Sequence, residues 1–410
     1  MSSSLDSSDS TPEVSVIVPA RNAASDLRKC LECLQASQNC RFEVIVIDDA
    51  STDETPNVAL EFGVRLLQTE ERKGPAIARN RGAAAARGEI LVFIDADVLV
   101  YPDTLQRLIS TLHEADCAAV FGSYDTQPSA TNLVSQYKNL VHHHVHQHAR
   151  REATTFWSGC GAIRRAVFAE LGGFSESYSR PCIEDIELGI RLRRPGYRIV
   201  LDKQIQVTHT KRWTVWSLIR TDVFDRGIPW TRLILQQRDM PNDLNLTMSQ
   251  RISAVLVFLT LLLLTIMVQR EPTLLILALA MILTVVGVDY FAISRRISLA
   301  AAGAVSLALL GWFITTMPME MSCVSLPVLG IVSLNRSLFA FLARHRGLAF
   351  AMIVLPLHMF YYCYSSAALG VGLLEHGCET LGRVAGAWQP AFIRKRGLQA
   401  ARRRSFSPYL

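Results

Sequence analysis

Absences set the first limits. Residues 1–13 are Ser- and Asp-rich and contain no apolar core. A secretory leader needs such a core, so the globular part that follows is expected to stay in the cytosol behind a disordered lead-in. Acidic residues are almost missing from the long apolar runs of the second half, where Asp289 is the only one well inside. A transport path lined by buried charge needs more, which leaves a transporter with a nucleotide-binding domain as a thin alternative. The nine cysteines show no pairing pattern. Cys30, Cys33 and Cys40 look like half of a zinc site, but no second ligand pair follows at suitable spacing, so they read as core or helix-face thiols of a reducing compartment. The charge excess is modest, 42 Lys+Arg against 36 Asp+Glu. It gathers near the apolar segments and points to a membrane surface, with no nucleic acid implied.

What is present divides in two. Up to about Leu246 the chain is mixed and charged throughout; from Ile252 it turns strongly apolar, and a basic tail follows. In the first part strand and helix signals alternate. A β-branched run at 14–18 ends in Pro19, 24–35 has helical periodicity, 42–47 reads as a buried strand, 55–62 as a short helix and 64–67 as a third strand. Residues 75–86 are Ala-rich and helical with Pro75 at N1, 90–94 is a buried strand, and 103–114 is the helix after it. This alternation predicts an α/β fold: a Rossmann-like, mostly parallel sheet with helices on both faces. The expected units are the lead-in at 1–13, an α/β domain at 14–210, interface helices at 211–246, an apolar helical region at 252–374 and a basic tail at 375–410.

Runs of roughly 20 apolar residues are long enough to cross a bilayer as a helix. Residues 252–268 and 273–293 form a hairpin joined by 269–272, and Arg295 and Arg296 set its far end in the cytosol. Residues 298–317 and 347–374 are the third and fourth candidates. Between them, 320–346 mixes cations with Leu338, Phe339, Phe341 and Leu342, which suits a helix lying in the interface. Four spans return the basic residues of 394–404 to the cytosol. The expectation is a multi-pass membrane protein with its α/β domain in the cytosol.

The chemistry gathers at strand ends. Asp95 and Asp97 follow strand 90–94 at i, i+2. On an extended chain residues two apart project the same way. Two carboxylates at the carboxyl end of a parallel strand suit a hard divalent cation, Mg²⁺ or Mn²⁺, with a plain acidic turn as the alternative. Asp48 and Asp49 end the second strand, where they either accept hydrogen bonds from a uracil-type base or a ribose, or cap the next helix. Pro19, Ala20 and Arg21 end the first strand at the same edge, and Lys73 and Arg79 add the positive charge a nucleotide diphosphate needs. Glu184 and Asp185 open an apolar-faced helix. They either complement its dipole, or one of them, Asp185 before Glu184, takes the proton from an acceptor hydroxyl.

Taken in order, Val14-Ser-Val-Ile-Val-Pro-Ala-Arg-Asn22, Val46-Ile-Asp-Asp-Ala-Ser-Thr-Asp53, Asp95-Ala-Asp97, Gly172-Gly-Phe174 and Glu184-Asp185 resemble a family 2 glycosyltransferase with the GT-A fold, over about 14–230. The resemblance implies an inverting transferase that uses a UDP- or GDP-activated sugar and a divalent metal. On its motifs Asp48 and Asp49 fall where the nucleoside is held, Asp95 and Asp97 on the metal–diphosphate motif, and Asp185 on the base. The donor nucleotide is then expected against Pro19, Ala20, Arg21, Asp48, Asp49, Lys73, Arg79, Asp95 and Ala96.

His209-Thr-Lys-Arg212-Trp213 is similar to the Gln-x-x-Arg-Trp motif of processive members such as cellulose and hyaluronan synthases. With His in place of Gln, a polymerising and exporting synthase stays an alternative. His209 either completes the metal shell with Asp95 and Asp97 or is a packed or solvent-facing side chain. Trp213, Trp216, Leu218, Ile219 and Trp230, interleaved with Lys211, Arg212, Arg220, Arg226 and Arg232, suggest amphipathic helices on membrane lipid. They lead to an expected lipid-linked or membrane-embedded acceptor. Arg212 and Trp213, together with Trp157 and Gly159, are candidates for contact with the acceptor or the diphosphate; a Gly-rich strand beneath the metal strand is the other reading of 156–165. His142, His143, His144, His146 and His148 form i, i+4 pairs on a helix. Such pairs bind zinc only with further ligands, which are not adjacent; a polar face toward an anionic group, or a solvated helix face, are the other readings.

Overall fold

The computed structural model describes residues 11–237, 247–270 and 318–387. The expected spans at 273–293 and 298–317, and the arginines at 394–404, lie outside the described residues. The α/β part runs β1 (Val14–Ala20), α1 (Ala24–Gln35), β2 (Phe42–Asp48), α2 (Thr55–Glu61), β3 (Arg65–Gln68), α3 (Pro75–Ala85), β4 (Ile90–Ile94), β5 (Val98–Val100), α4 (Thr104–Glu114), β6 (Ala119–Tyr124) and α5 (Leu133–His148). It continues through β7 (Cys160–Arg164), α6 (Arg165–Glu170), α7 (Glu184–Arg193), β8 (Ile199–His209) and α8 (Val215–Arg220) to a π-helical turn (Thr221–Gly227) and α9 (Ile228–Gln237). Then come α10 (Met248–Arg270), α11 (Pro318–Leu334), α12 (Arg336–Arg346) and α13 (Leu348–Ala387).

One sheet of eight strands holds the first part together, in the order β3-β2-β1-β4-β7-β6-β8-β5. The strands expected from the sequence, β1 to β4, are mutually parallel, so the carboxyl ends of β1, β2 and β4 share one edge. β7 enters antiparallel between β4 and β6, and β5 pairs antiparallel with β8, so the sheet is mixed although mostly parallel. Strand periodicity builds the core: Ile90, Val92 and Ile94 face one apolar layer with α1 and α4, and Leu91 and Phe93 face the other with α3 and α7. Within residues 156–165, Cys160–Arg164 form β7, which pairs with β4.

The helices after residue 247 fall in the apolar half. Met248–Ile266 and Leu348–Cys378 are long and apolar enough to cross a membrane, with a third if the pair 324–334 and 336–346, bent by 76°, counts as one. Val255, Leu262, Leu326 and Leu374 point outward, as lipid-facing residues do. The segment expected to lie in the interface falls on α11 and α12. On α12, Leu338, Phe341 and Leu342 are buried with Leu133, Val134, Tyr137 and Leu140 of α5, so that face is covered by protein and not by lipid. α13 continues through residue 387, into the first part of the expected basic tail.

Candidate active site

β4 delivers Asp95 as its chain leaves the sheet, but not on an extended strand. Val98 N–H donates to the Asp95 carbonyl at 3.0 Å, so Asp95-Ala96-Asp97 forms a tight turn into β5. The i, i+2 geometry expected of a strand is therefore replaced by a turn, yet both carboxylates still line one cavity of about 360 Å³. The turn exists because β5 pairs with β8, with Val98 opposite His209. That register brings His209 Nε2 to 3.5 Å from Asp97 Oδ2. Burial opposes charge on Asp97, but the hydrogen bond and charge of His209, with Lys211, hold its carboxyl below the usual range. Asp95 is raised by burial and by Asp97, against the pull of Arg79.

Arg79 is only 4% exposed. From α3 it donates through Nη2 to Asp95 Oδ1 at 2.6 Å and through Nη1 to Glu184 Oε1 at 2.8 Å. Its fork is occupied by carboxylates, so it braces α3, the β4 turn and α7 together. The same bonds separate Glu184 from Asp185. Glu184 is buried, with its other oxygen accepting from Cys182 N–H at 2.9 Å. Asp185 is half-buried, accepts from Ser158 N–H at 3.1 Å and, among the described residues, has no cationic partner within salt-bridge distance. Burial, then the neighbouring Glu184 carboxylate, push the Asp185 carboxyl up to about 6.

Asp48 and Asp49 sit on the shared edge but spend their oxygens locally. Asp49 accepts from Lys73 N–H at 2.7 Å, Gly74 N–H at 2.8 Å and Thr69 Oγ1 at 3.2 Å. Asp48 accepts from Ser51 N–H at 3.2 Å. Asp49 therefore anchors the 69–74 loop. Gly74 is required there: its φ is +92°, and a Cβ would lie 2.4 Å from the Ser179 carbonyl oxygen. The Lys73 ammonium pairs with Glu71.

The cavity brings together Arg79, Asp95, Asp97, Trp157, Glu184, Asp185, His209 and Trp213. It is not lined by Pro19, Ala20, Arg21, Asp48, Asp49, Lys73, Ala96, Gly159 or Arg212. Arg212 is exposed, with the adjacent Lys211 facing the cavity in its stead and standing 4.4 Å from the Trp213 ring. Gly159 serves Trp157, whose indole lies 2.6 Å from where a Cβ would be. The histidine run is not a solvated face. His143, His144 and His146 are buried, and His142 and His146 line the cavity.

Several wall residues had no motif to mark them. Lys138 Nζ donates to both oxygens of Asp222, at 2.7 and 2.8 Å. Tyr364 of α13 donates to Asp222 at 3.0 Å, and Arg226 lies 3.5 Å from it. The π-helical turn carries Asp222 and Arg226, and Tyr361 and Tyr364 close the cavity from α13. Their signal was weak: an aromatic pair in an apolar run and cations beside tryptophans. Among the described residues no group of three or more His, Cys, Asp or Glu is gathered closely enough to hold a metal. Asp97 and His209 nevertheless face each other across 3.5 Å, and the carboxylate is an oxygen donor of the kind Mg²⁺ and Mn²⁺ take.

The model of glycosyl transferase family 2 matches residues 15–172. The chain is 38% identical over 113 residues to the uncharacterized glycosyltransferase YibD of Escherichia coli, which covers 26% of this chain and 33% of that protein. It is 34% identical over 120 residues to the succinoglycan biosynthesis protein ExoO of Rhizobium meliloti, 28% of this chain and 34% of that one. With the pre-mycofactocin glycosyltransferase of Mycobacterium tuberculosis it shares 29% over 226 residues, 52% of this chain and 46% of the relative. The chain thus spans about a third to just under half of the length of these relatives. Among solved structures it is similar to the mannosyltransferase PcManGT of Pyrobaculum calidifontis in complex with GDP-Man and Mn²⁺, at 20% identity and a TM-score of 0.46, covering 82% of this chain and 88% of that one. Over residues 15–172, carried on a mostly parallel sheet with flanking helices, the chain is similar to glycosyl transferase family 2.

Proposed function

We propose that the protein transfers a sugar, with inversion, from a nucleotide diphosphate to an acceptor presented by a membrane. One observation carries the reading. A single cavity is walled both by Asp95, Asp97 and Asp185 and by Tyr361 and Tyr364 of a helix apolar enough to cross a bilayer. A soluble acceptor needs no such wall.

In this reading Asp185 accepts the proton of the acceptor hydroxyl while that oxygen bonds to the anomeric carbon and the diphosphate leaves from the opposite side. A carboxyl pushed up to about 6 is a stronger base than an ordinary aspartate and is still ionised near neutrality. Arg79 keeps Glu184 and Asp95 paired, which leaves Asp185 as the base. Asp97 and His209 are the side chains that would hold Mg²⁺ or Mn²⁺. A bound cation would supply charge neutralisation on the departing diphosphate. The nucleoside would lie over the sheet edge where Asp49 fixes the 69–74 loop.

The test is to reconstitute the full chain in lipid vesicles with Mn²⁺ and a panel of labelled UDP- and GDP-sugars, then partition label between lipid extract and water. Label in the lipid extract, lost in Asp185→Asn and Asp97→Ala, is the expected result. Folded protein that turns over no donor, or that labels only water-soluble acceptors, overturns the reading.

A further inference from the structure

The histidine run of α5 has no part in the chemistry above, yet one of its members stands between the two halves of that chemistry. The His142 ring lies 5.2 Å from Trp157 and 4.5 Å from Tyr124, centroid to centroid. Trp157 immediately precedes Ser158, whose N–H and hydroxyl both face Asp185. Tyr124 stacks on His209 at 4.3 Å, and His209 faces Asp97. His142 is therefore flanked on one side by the residues that position the proposed base and on the other by Tyr124, which stacks on the His209–Asp97 pair.

Its two nitrogens are unlike. Nδ1 is enclosed and has no hydrogen-bond partner, with the His146 ring 4.1 Å away. Enclosing an unpaired nitrogen costs stability, and a side chain kept at that cost in a cavity wall calls for a use. Nε2 is not among the enclosed unpaired atoms, and His142 lines the cavity, so this edge of the ring is the one left for a ligand. Burial first, then His146, Arg226 and Lys138, keep the imidazole neutral far below its usual range. A neutral ring offers one nitrogen to donate or accept without adding charge beside a diphosphate.

Resting on the transferase reading, we infer that His142, through Nε2, binds a hydroxyl of the transferred sugar while the Trp157 indole supports the ring. The anomeric carbon must lie between base and leaving group, and His142 and Trp157 wall that interval. The ligand class is a hexose still attached to its nucleotide, not the nucleotide itself.

The experiment compares wild type, H142A, H142F and H142Q in the full chain with Mn²⁺. It measures the affinity for UDP and GDP alone and for UDP-glucose, UDP-GlcNAc and GDP-mannose, with KM and kcat for whichever donor turns over. Loss of one neutral hydrogen bond predicts about a tenfold weaker grip on the nucleotide sugar in H142A and H142F. Binding of the bare nucleotide stays unchanged, and H142Q recovers most of the loss because its amide reaches where Nε2 stood. Equal loss for nucleotide and nucleotide sugar overturns the assignment, as does wild-type behaviour in H142F. If H142A folds poorly, the contrast of H142F with H142Q decides, since both fill the space of the ring. A wild-type protein that binds no nucleotide sugar overturns the transferase reading itself; one that binds normally, with indifferent His142 variants, overturns only this inference.

Discussion

Arg79 and Asp185 act as a pair without touching. With two buried carboxylates on its fork, Arg79 is poorly replaced by lysine, whose single ammonium cannot span Asp95 and Glu184. Arg79→Met is expected to cost about 3–5 kcal/mol in a denaturant titration, because it strands both carboxylates. Asp185 has the opposite sign. Its folded carboxyl sits near 6, above the 3.8 of an ordinary aspartate, so the protonated form is favoured by the fold. That contribution is complete below about 4 and is lost as the pH rises through 6. Asp185→Asn should then unfold later than wild type at pH 7, by on the order of 1–3 kcal/mol, and equally with it at pH 4. Its turnover should fall by about 10²–10⁴, while wild-type kcat/KM climbs between roughly pH 5 and 7 with its midpoint near 6. A flat profile across that window means another group takes the proton. The residues at the motif positions were readable from sequence, but their partners were not. Nothing near Arg79 announces Glu184, which lies 105 residues away along the chain.

At the scale of elements, period and length made β1 to β4 and the first four helices legible to within a residue or two, because the strands are short apolar runs and the helices carry apolar residues at helical spacing. The turn at Asp95 was not, since it depends on β8 arriving to pair with β5. The surroundings of the α5 histidines were hidden for a like reason: the helix that covers them, α12, begins about 190 residues later. His143 stacks on Phe341 at 5.5 Å, and His148 Nε2 lies 3.1 Å from the Ser337 hydroxyl. Arg346 closes the same joint, donating to Gln136 Oε1 at 2.6 Å and to the Thr126 carbonyl at 2.8 Å. Leu342 is fully buried in this joint. Leu342→Ala should cost about 2–5 kcal/mol and quicken proteolysis between α5 and α12. Unchanged cleavage kinetics mean that the joint contributes little to holding the domain.

For the whole molecule, the hydrogen bond from Tyr364 to Asp222 ties a membrane-length helix to the floor of the cavity. Tyr364→Phe removes one hydroxyl and leaves the ring. The expected effect is a higher KM for a vesicle-borne acceptor, with donor affinity as in wild type; donor binding that shifts as much places Asp222 on the nucleotide side. Two close crossings reinforce the tie, with a Cβ on Gly227 meeting Ala368 at 2.7 Å and one on Gly372 meeting Thr231 at 2.7 Å.

Tyr361 and Tyr364 wall the cavity from a helix long and apolar enough to cross a bilayer, so under the proposed function the acceptor arrives from the lipid side. An acceptor that comes and goes through that side diffuses in two dimensions, so its mole fraction in the bilayer, not its molarity in the tube, sets the encounter rate. Adding inert lipid at constant acceptor and protein should therefore slow the reaction, although every bulk concentration is unchanged.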